Sequence, residues 1–154
     1  MRRLLCMDII YLDAADLARI IRGDLKRAFP GAVFQVRTSK YSMGSIVRVN
    51  WTDGPSRHDV DAIVGRYKAH GFDGMTDSQT NSGPVTLDDG RVVSIYSYVF
   101  TERRHSASFA ARVQAWFDRR YAPFAQQWEA DRALWRIADR AQVINGCLVV
   151  RRES

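Results

Sequence analysis

The sequence predicts an α+β fold: one sheet with two helices on one face, followed by a C-terminal helical extension. Three patterns carry this prediction. Amphipathic helical spacing occurs twice in the first seventy residues, alternating strand patterns surround it, and helical spacing returns after residue 101. The resulting order of strand, helix, strand, strand, helix, strand is that of a ferredoxin-like split βαβ unit, written βαββαβ.

The first half of the core is predicted in chain order as follows. Apolar residues 4–11 are interpreted as a strand, and a helix with an inner stripe that includes Leu17, Ile21 and Leu25 ends at Phe29-Pro30-Gly31. Residues 32–38 and 45–51 then alternate around a turn, which is typical of a β-hairpin.

The second half of the core begins with a helix whose inner face carries Val60, Val64 and Tyr67. Residues 71–90 are rich in Gly, Asp, Ser and Thr and predict an exposed loop. Residues 91–101 are the strongest strand candidate because β-branched and aromatic side chains dominate them. We therefore assign 1–101 to the core domain.

Residues 102–154 are assigned to a helical extension packed on that core. Two apolar stripes, one including Phe109 and Phe117 and the other Trp128 and Trp135, predict two helices with a break at Pro123. Asn145-Gly146 between short apolar runs predicts a tight hairpin.

Composition limits the class of protein. The chain has 154 residues and no apolar run near the length of a membrane span, so we expect a cytoplasmic protein with no membrane partner. Its two cysteines have no metal-binding spacing and are expected to be buried thiols. The net charge is +6, and only three of the 23 basic residues are lysines, namely Lys26, Lys40 and Lys68.

Arginine binds phosphate and carboxylate bidentately and stacks on flat rings, so this bias suits an acidic partner. A genome of high GC content would produce the same bias, and both interpretations stay open. Residues 102–154 hold 10 basic against 6 acidic side chains, so the charge is concentrated in the C-terminal part.

Period-two spacing divides the sheet residues between two faces. One face is mostly aliphatic and should pack on the helices. The opposite face mixes arginines with aromatic rings, as single-stranded nucleic acid requires. Either the C-terminal aromatic residues cover that face, which we favour, or it is open to a ligand. The predicted binding residues are Arg37, Arg48, Tyr96, Tyr98, Arg103, Arg104, Arg119 and Arg120.

Motifs for catalysis are missing from the sequence. The three histidines are not spaced as metal ligands, and neither a GxSxG nor a phosphate-binding GxxxxGK[ST] pattern occurs. Asp53, Asp73 and Asp77 are better explained as turn or capping residues than as paired catalytic or metal-binding carboxylates. We expect no enzyme activity, no cofactor and no metal.

Two short motifs flank the second predicted helix: Trp51-Thr52-Asp53-Gly54-Pro55 and Phe72-Asp73-Gly74-Met75-Thr76-Asp77. With their surroundings, residues 20–77 resemble the large polyvalent protein-associated domain family twenty-nine. The resemblance marks Trp51, Asp53, Gly54, Phe72, Asp73, Gly74 and Asp77 as family loop residues. It implies an origin in a phage, plasmid or integrative element, and it supplies no catalytic residues.

Two functions are then predicted. The first is a non-catalytic counter-defence protein, of anti-CRISPR or anti-restriction type, that binds a host defence complex, with acidic residues such as Asp88 and Asp89 facing the partner. The alternative is a nucleic-acid-binding accessory module that uses the arginine and aromatic surface.

Overall fold

The computed structural model describes the backbone of residues 9–68, 70–73, 78–81, 83–121, 127–145 and 147–150, and the side chains of 9–68, 83–120, 134–145 and 147–150. In chain order the elements are β1 (Ile10–Leu12), α1 (Ala14–Ala28), β2 (Phe34–Tyr41), β3 (Gly44–Thr52), α2 (Arg57–Val64), a 3-10 turn (Gly65–Tyr67), β4 (His70–Asp73), β5 (Ser78–Asn81), β6 (Val85–Thr86), β7 (Val92–Ile95), β8 (Tyr98–Arg104), α3 (Ala107–Tyr121), α4 (Gln127–Arg140), β9 (Ala141–Ile144) and β10 (Cys147–Val150). The fold is thus α+β, as predicted.

Helix α1 forms as its sequence pattern predicts. The Asp13 carboxylate accepts a hydrogen bond from the Asp16 amide and caps the first turn. Leu17, Ile21 and Leu25 are fully buried on one face. The helix ends at Phe29, immediately before Pro30, so its predicted end is confirmed.

The main sheet has the strand order β2-β3-β8. Strands β2 and β3 form the predicted antiparallel hairpin, in which Tyr41 pairs with Gly44 around a two-residue turn. Strand β8 runs parallel to β3, so Val49 lies between Val36 and Thr101. The face that includes Val47 and Val49 is buried in one core with residues of α1 and α2. Both helices therefore cover the same side of the sheet.

The ferredoxin-like topology is not confirmed. In a split βαβ unit another strand separates the two parallel strands that a helix connects. Here β3 and β8, on either side of α2 in the chain, are direct neighbours from Ile46–Tyr98 to Thr52–Arg104, which leaves no position for a strand between them. Strand β1 pairs instead with β7 in a separate sheet, because the predicted strand 91–101 breaks between Ile95 and Tyr98.

The region predicted as a loop, 71–90, is only partly irregular. Strands β4 and β5 form an antiparallel hairpin within it, and β6 pairs with β7. Strand β5 has the sequence Ser-Gln-Thr-Asn, which has no apolar alternation to reveal it. Gly90, at φ 84°, lies in the turn before β7, where glycine tolerates a conformation that side chains resist.

The C-terminal elements bury their apolar residues mainly against one another. Phe109, Val113 and Phe117 of α3 pack with Ile137 and with Ala141 at the start of β9 in a second core. Ile144 pairs with Cys147 in the β9–β10 hairpin, which confirms the predicted hairpin, whereas Gly146 and the predicted break at Pro123 lie outside the described residues.

Two remaining sequence expectations concern membranes and thiols. Within the described ranges, no helix is both long and apolar enough to cross a bilayer. Cys147 is exposed rather than buried, because it occupies the outward position at the start of β10. Cys6 lies outside the described residues.

Candidate functional site

The side of the β2-β3-β8 sheet opposite α1 and α2 is the candidate site, here called the open face. Its side chains are exposed or half-buried, in alternation with the buried ones of the core. The strand register arranges nine of them in three rows, which are Ser39–Ile46–Tyr98, Arg37–Arg48–Phe100 and Gln35–Asn50–Glu102. The described parts of the C-terminal helices do not cover this face, contrary to the favoured expectation, since Phe100 is 52% exposed.

The middle row places two arginines side by side. Arg37 and Arg48 are directly paired across β2 and β3, and both are exposed. Like charges opposite each other destabilise a sheet, by an amount on the order of a few tenths of a kcal/mol. In the described part of the chain neither guanidinium has an ion-pair, hydrogen-bond or ring partner. An anionic ligand would remove this repulsion.

Aromatic rings extend along β8 beside the arginines. Phe100 is the neighbour of Arg48 in the register, and it lies nearly parallel to Tyr98, with ring centroids 6.3 Å apart and planes at 19°. Tyr96, which is 55% exposed, stacks on Tyr11 at 5.7 Å. Side chains two residues apart on a strand repeat at about 6.6 Å, roughly twice the 3.4 Å rise of stacked bases. Tyr98 and Phe100 therefore provide two neighbouring flat surfaces on the open face, and Tyr96 lies just outside β8.

The third row carries uncharged amides and one carboxylate. Gln35 pairs with Asn50, and Asn50 pairs with Glu102. A pocket of about 230 Å³ opens beside this row and is lined by Val33, Gln35, Asn50, Trp51, Thr52 and Arg104. Hydrogen-bonding groups thus adjoin the charged row at one end of the open face.

Arg103, predicted as a binding residue, lies on the opposite side of β8 and is buried. Its guanidinium donates to the carbonyl oxygens of Asp53 (2.8 Å), Ala138 (2.7 Å) and Ala141 (2.7 Å), and it lies over the Phe109 ring at 4.9 Å. Burial lowers the pKa of Arg103. Its contacts join the core to the end of α4, so Arg103 is not part of the open face.

The Trp51–Pro55 motif forms the other side of this junction. Asp53 and Gly54 both adopt left-handed backbone, at φ 55° and 53°. Trp51 Nε1 donates to the Pro55 carbonyl (3.0 Å) and closes the turn. The Asp53 carboxylate accepts from the amide (2.8 Å) and the hydroxyl (2.6 Å) of Ser106, directly before α3.

Asp53 was predicted to cap the second helix or to start an Asx turn, and the capping prediction is wrong. Ser56 caps α2, because its hydroxyl accepts from the Asp59 amide (3.2 Å). Asp53 instead holds the entry to α3, a partner fifty-three residues away that only the tertiary fold brings near.

The remaining predicted residues are not brought to one place. Arg104 points to the open side of β8 and pairs with Glu102 (3.3 Å). Arg119 bonds to its own helix at Ala115, and Arg120 lies over the Trp116 ring at 5.1 Å. The backbone of Phe72 and Asp73 belongs to β4, while their side chains, and all of Gly74 and Asp77, lie outside the described residues.

Two of the four acidic residues expected to face a defence complex, Asp88 and Asp89, are already paired, while the side chains of Asp73 and Asp77 lie outside the described residues. Arg66 donates to Asp88 (2.7 Å) and holds the pKa of that carboxyl below its usual value. Arg91 does the same for Asp89. In the portion of the chain with described side chains, no group of three His, Cys, Asp or Glu residues could hold a metal ion.

The fold and its surfaces define a small α+β protein whose main sheet packs against helices on one side and has exposed or half-buried side chains on the other. The family described as large polyvalent protein associated domain 29 matches residues 12–106, which extends the resemblance seen at 20–77. The chain therefore belongs to this family. The matched span includes the whole open face and the Asp53–Ser106 contact. Comparisons with curated proteins and with solved structures gave no match.

Proposed function

We propose that this protein is a mobile-element accessory protein that binds single-stranded nucleic acid on the open face. The observation that carries the proposal is a pair of exposed arginines, Arg37 and Arg48, which have no ion-pair or hydrogen-bond partner among the described residues and lie beside the exposed Phe100 and the half-buried Tyr98. Family membership supports the accessory role. The proposed activity is binding without catalysis or cofactor, and it places the protein in the cytoplasm with its nucleic acid.

The chemistry of the open face matches both parts of a single strand. Arg37 and Arg48 supply two positive charges that phosphates neutralise, with release of counterions. Tyr98 and Phe100 supply flat surfaces on which unpaired bases stack, each worth about 1–3 kcal/mol. In a duplex the bases are stacked on one another and their faces are not accessible to these rings. Single strands should therefore bind more tightly than duplexes of the same length.

Fluorescence anisotropy with a labelled twelve-nucleotide oligo(dT) and a matched duplex tests the proposal. We expect the wild-type protein to bind the single strand at low salt, more tightly than it binds the duplex. Replacing both central arginines, in Arg37→Gln/Arg48→Gln, should weaken single-strand binding at least tenfold. Phe100→Ala should weaken it by about fivefold or more, because one stacking surface is lost.

A control variant separates this surface from net charge. Arg19→Gln/Arg57→Gln removes the same formal charge from α1 and α2, on the other side of the sheet. It should bind like the wild type. No binding by wild-type protein to either probe at low salt would refute the proposal, as would equal weakening by the two double variants.

Counter-defence by binding a host defence complex stays a prediction. It is based on the family and on an acidic patch of Asp73, Asp77, Asp88 and Asp89, of which Asp88 and Asp89 are paired with arginines. Capture from host lysate after nuclease treatment tests it: a defence protein retained without nucleic acid would favour this function over the one proposed.

A further inference from the structure

The third row of the open face, Gln35–Asn50–Glu102, has chemistry that neither phosphate binding nor base stacking requires. Its outward groups are two amides and a carboxylate, next to a pocket of about 230 Å³. A carboxylate repels phosphate, so this row weakens nonspecific binding. Its groups match a different part of a nucleotide, the hydrogen-bonding edge of the base.

The amides of this row are not used within the described structure. Neither Gln35 nor Asn50 has a side-chain hydrogen-bond partner among the described residues, and the Oδ1 atom of Asn50 is buried without a donor. Buried polar atoms are nearly always paired, so an unpaired one needs an explanation. Asn50 also lines the pocket beside the row, and its amide can turn about its last side-chain bond to offer either the nitrogen as a donor or the oxygen as an acceptor.

Glu102 determines which bases can form hydrogen bonds with this row. An ionised carboxylate only accepts hydrogen bonds, so it favours the amino group of cytosine or adenine and repels the carbonyl oxygen that thymine and uracil have at that position. Among the described residues Arg104 contacts only the Oε1 atom of Glu102, at 3.3 Å, so the second carboxylate oxygen can accept from a base. Asn50, between Glu102 and Gln35, can donate to the ring nitrogen next to the amino group.

We infer that the Gln35–Asn50–Glu102 row selects bases with an exocyclic amino group, so that the open face prefers cytosine over thymine. This inference rests on the proposed single-strand binding and adds base selectivity to it. Cytosine and thymine are both pyrimidines of similar size and differ mainly in this group, so their comparison isolates the hydrogen-bonding edge from stacking.

The test compares twelve-nucleotide oligo(dC) and oligo(dT) by fluorescence anisotropy, at about pH 8, where cytosine is neutral. We expect wild-type protein to bind oligo(dC) at least about fivefold more tightly, as one good base contact provides. Glu102→Gln, an isosteric change at an exposed side chain, should bring the ratio of the two affinities close to one. Asn50→Leu should reduce the ratio as well.

Asp118→Asn is the matched control, because it removes one exposed carboxylate from α3 and leaves the row intact. Its affinity ratio should equal that of the wild type. Equal binding of both oligonucleotides by wild-type protein would overturn the selectivity and leave the proposed function standing. A preference that persists in Glu102→Gln would also overturn it, whereas no binding to either oligonucleotide would defeat the proposed function itself.

Discussion

Replacement of Arg103 by lysine should destabilise the protein strongly, although the charge is kept. The planar guanidinium of Arg103 contacts the Asp53 carbonyl on one side and the Ala138 and Ala141 carbonyls on the other, all within 2.8 Å. The compact ammonium of lysine cannot span these acceptors. Loss of two hydrogen bonds from a charged donor, at about 1.5 kcal/mol each, gives a loss of about 3 kcal/mol in the free energy of unfolding.

Urea denaturation followed by tryptophan fluorescence measures this loss, and thermal unfolding should show a decrease in Tm of roughly 6–12 °C. Arg104→Lys is the control, because the adjacent side chain is exposed and should change stability by less than about 0.5 kcal/mol. A stability of Arg103→Lys within about 1 kcal/mol of the wild type would refute the role of Arg103 as the link between the core and α4.

Three further outcomes are expected from the same structure. Asp53→Ala should cost about 1–2 kcal/mol in unfolding free energy, whereas Asp53→Asn should cost little, because the amide oxygen still accepts from Ser106 and asparagine tolerates positive φ. Equal losses in the two variants would contradict the role of Asp53 in holding Ser106. Burial and the Asp24 hydrogen bond raise the pKa of Tyr67, so its stabilising contribution is complete below its unfolded pKa of about 10 and is lost at higher pH. Urea titrations from about pH 9 to 11 should therefore show a smaller loss of stability in Tyr67→Phe than in wild type. Burial and the charge of Arg103 lower the pKa of His105, so stability should fall as the pH drops below about 6.5. His105→Phe keeps the stacking on Phe109 and should therefore lose less stability than the wild type between about pH 8 and 5. For Tyr67 and for His105 alike, parallel pH profiles of variant and wild type would argue against the assignment.

Helix α1 could be predicted from the sequence because residues within the helix and at its two ends determine where it forms. The apolar stripe of α1, its Asp13 cap and Pro30 after its end are all within one helix length. The pairing of β3 with β8 has no such signal, since the two strands are far apart in sequence and their association depends on the tertiary packing of α1 and α2 beneath them. The alternation of polar and apolar residues within either strand does not indicate which strand it pairs with.

The sequence predicts the arginines of the open face but not its carboxylate. The alternation of strands 32–38 and 45–51 placed Arg37 and Arg48 together on one face correctly. The predicted strand 91–101 stops two residues before Arg103, so the prediction does not place Arg103 on a face of the sheet. The period-two pattern in fact continues through Thr101 and Arg103 on the buried side, and through Glu102 and Arg104 on the open one. Continuing the alternation by three residues would have revealed Glu102 as a member of the open face.

The expected covering of the open face was based on the number of aromatic residues after position 101. That number alone does not say where the residues pack. Phe109 and Phe117 are buried against Ile137 and Ala141 in their own core, so they need no surface from the sheet. Sequence periodicity does not specify the contacts between helices, so it cannot predict whether the C-terminal elements form a hydrophobic core of their own.

The salt dependence of oligo(dT) binding tests the open face most directly, because it counts the phosphates that the protein neutralises. For single strands the slope of log K against log [salt] is about −0.7 per phosphate. Arg37→Gln/Arg48→Gln should therefore flatten the slope by about 1.4, while Arg19→Gln/Arg57→Gln leaves it unchanged. An unchanged slope in the first variant, or equal flattening in both, would show that nucleic acid does not bind at these two arginines.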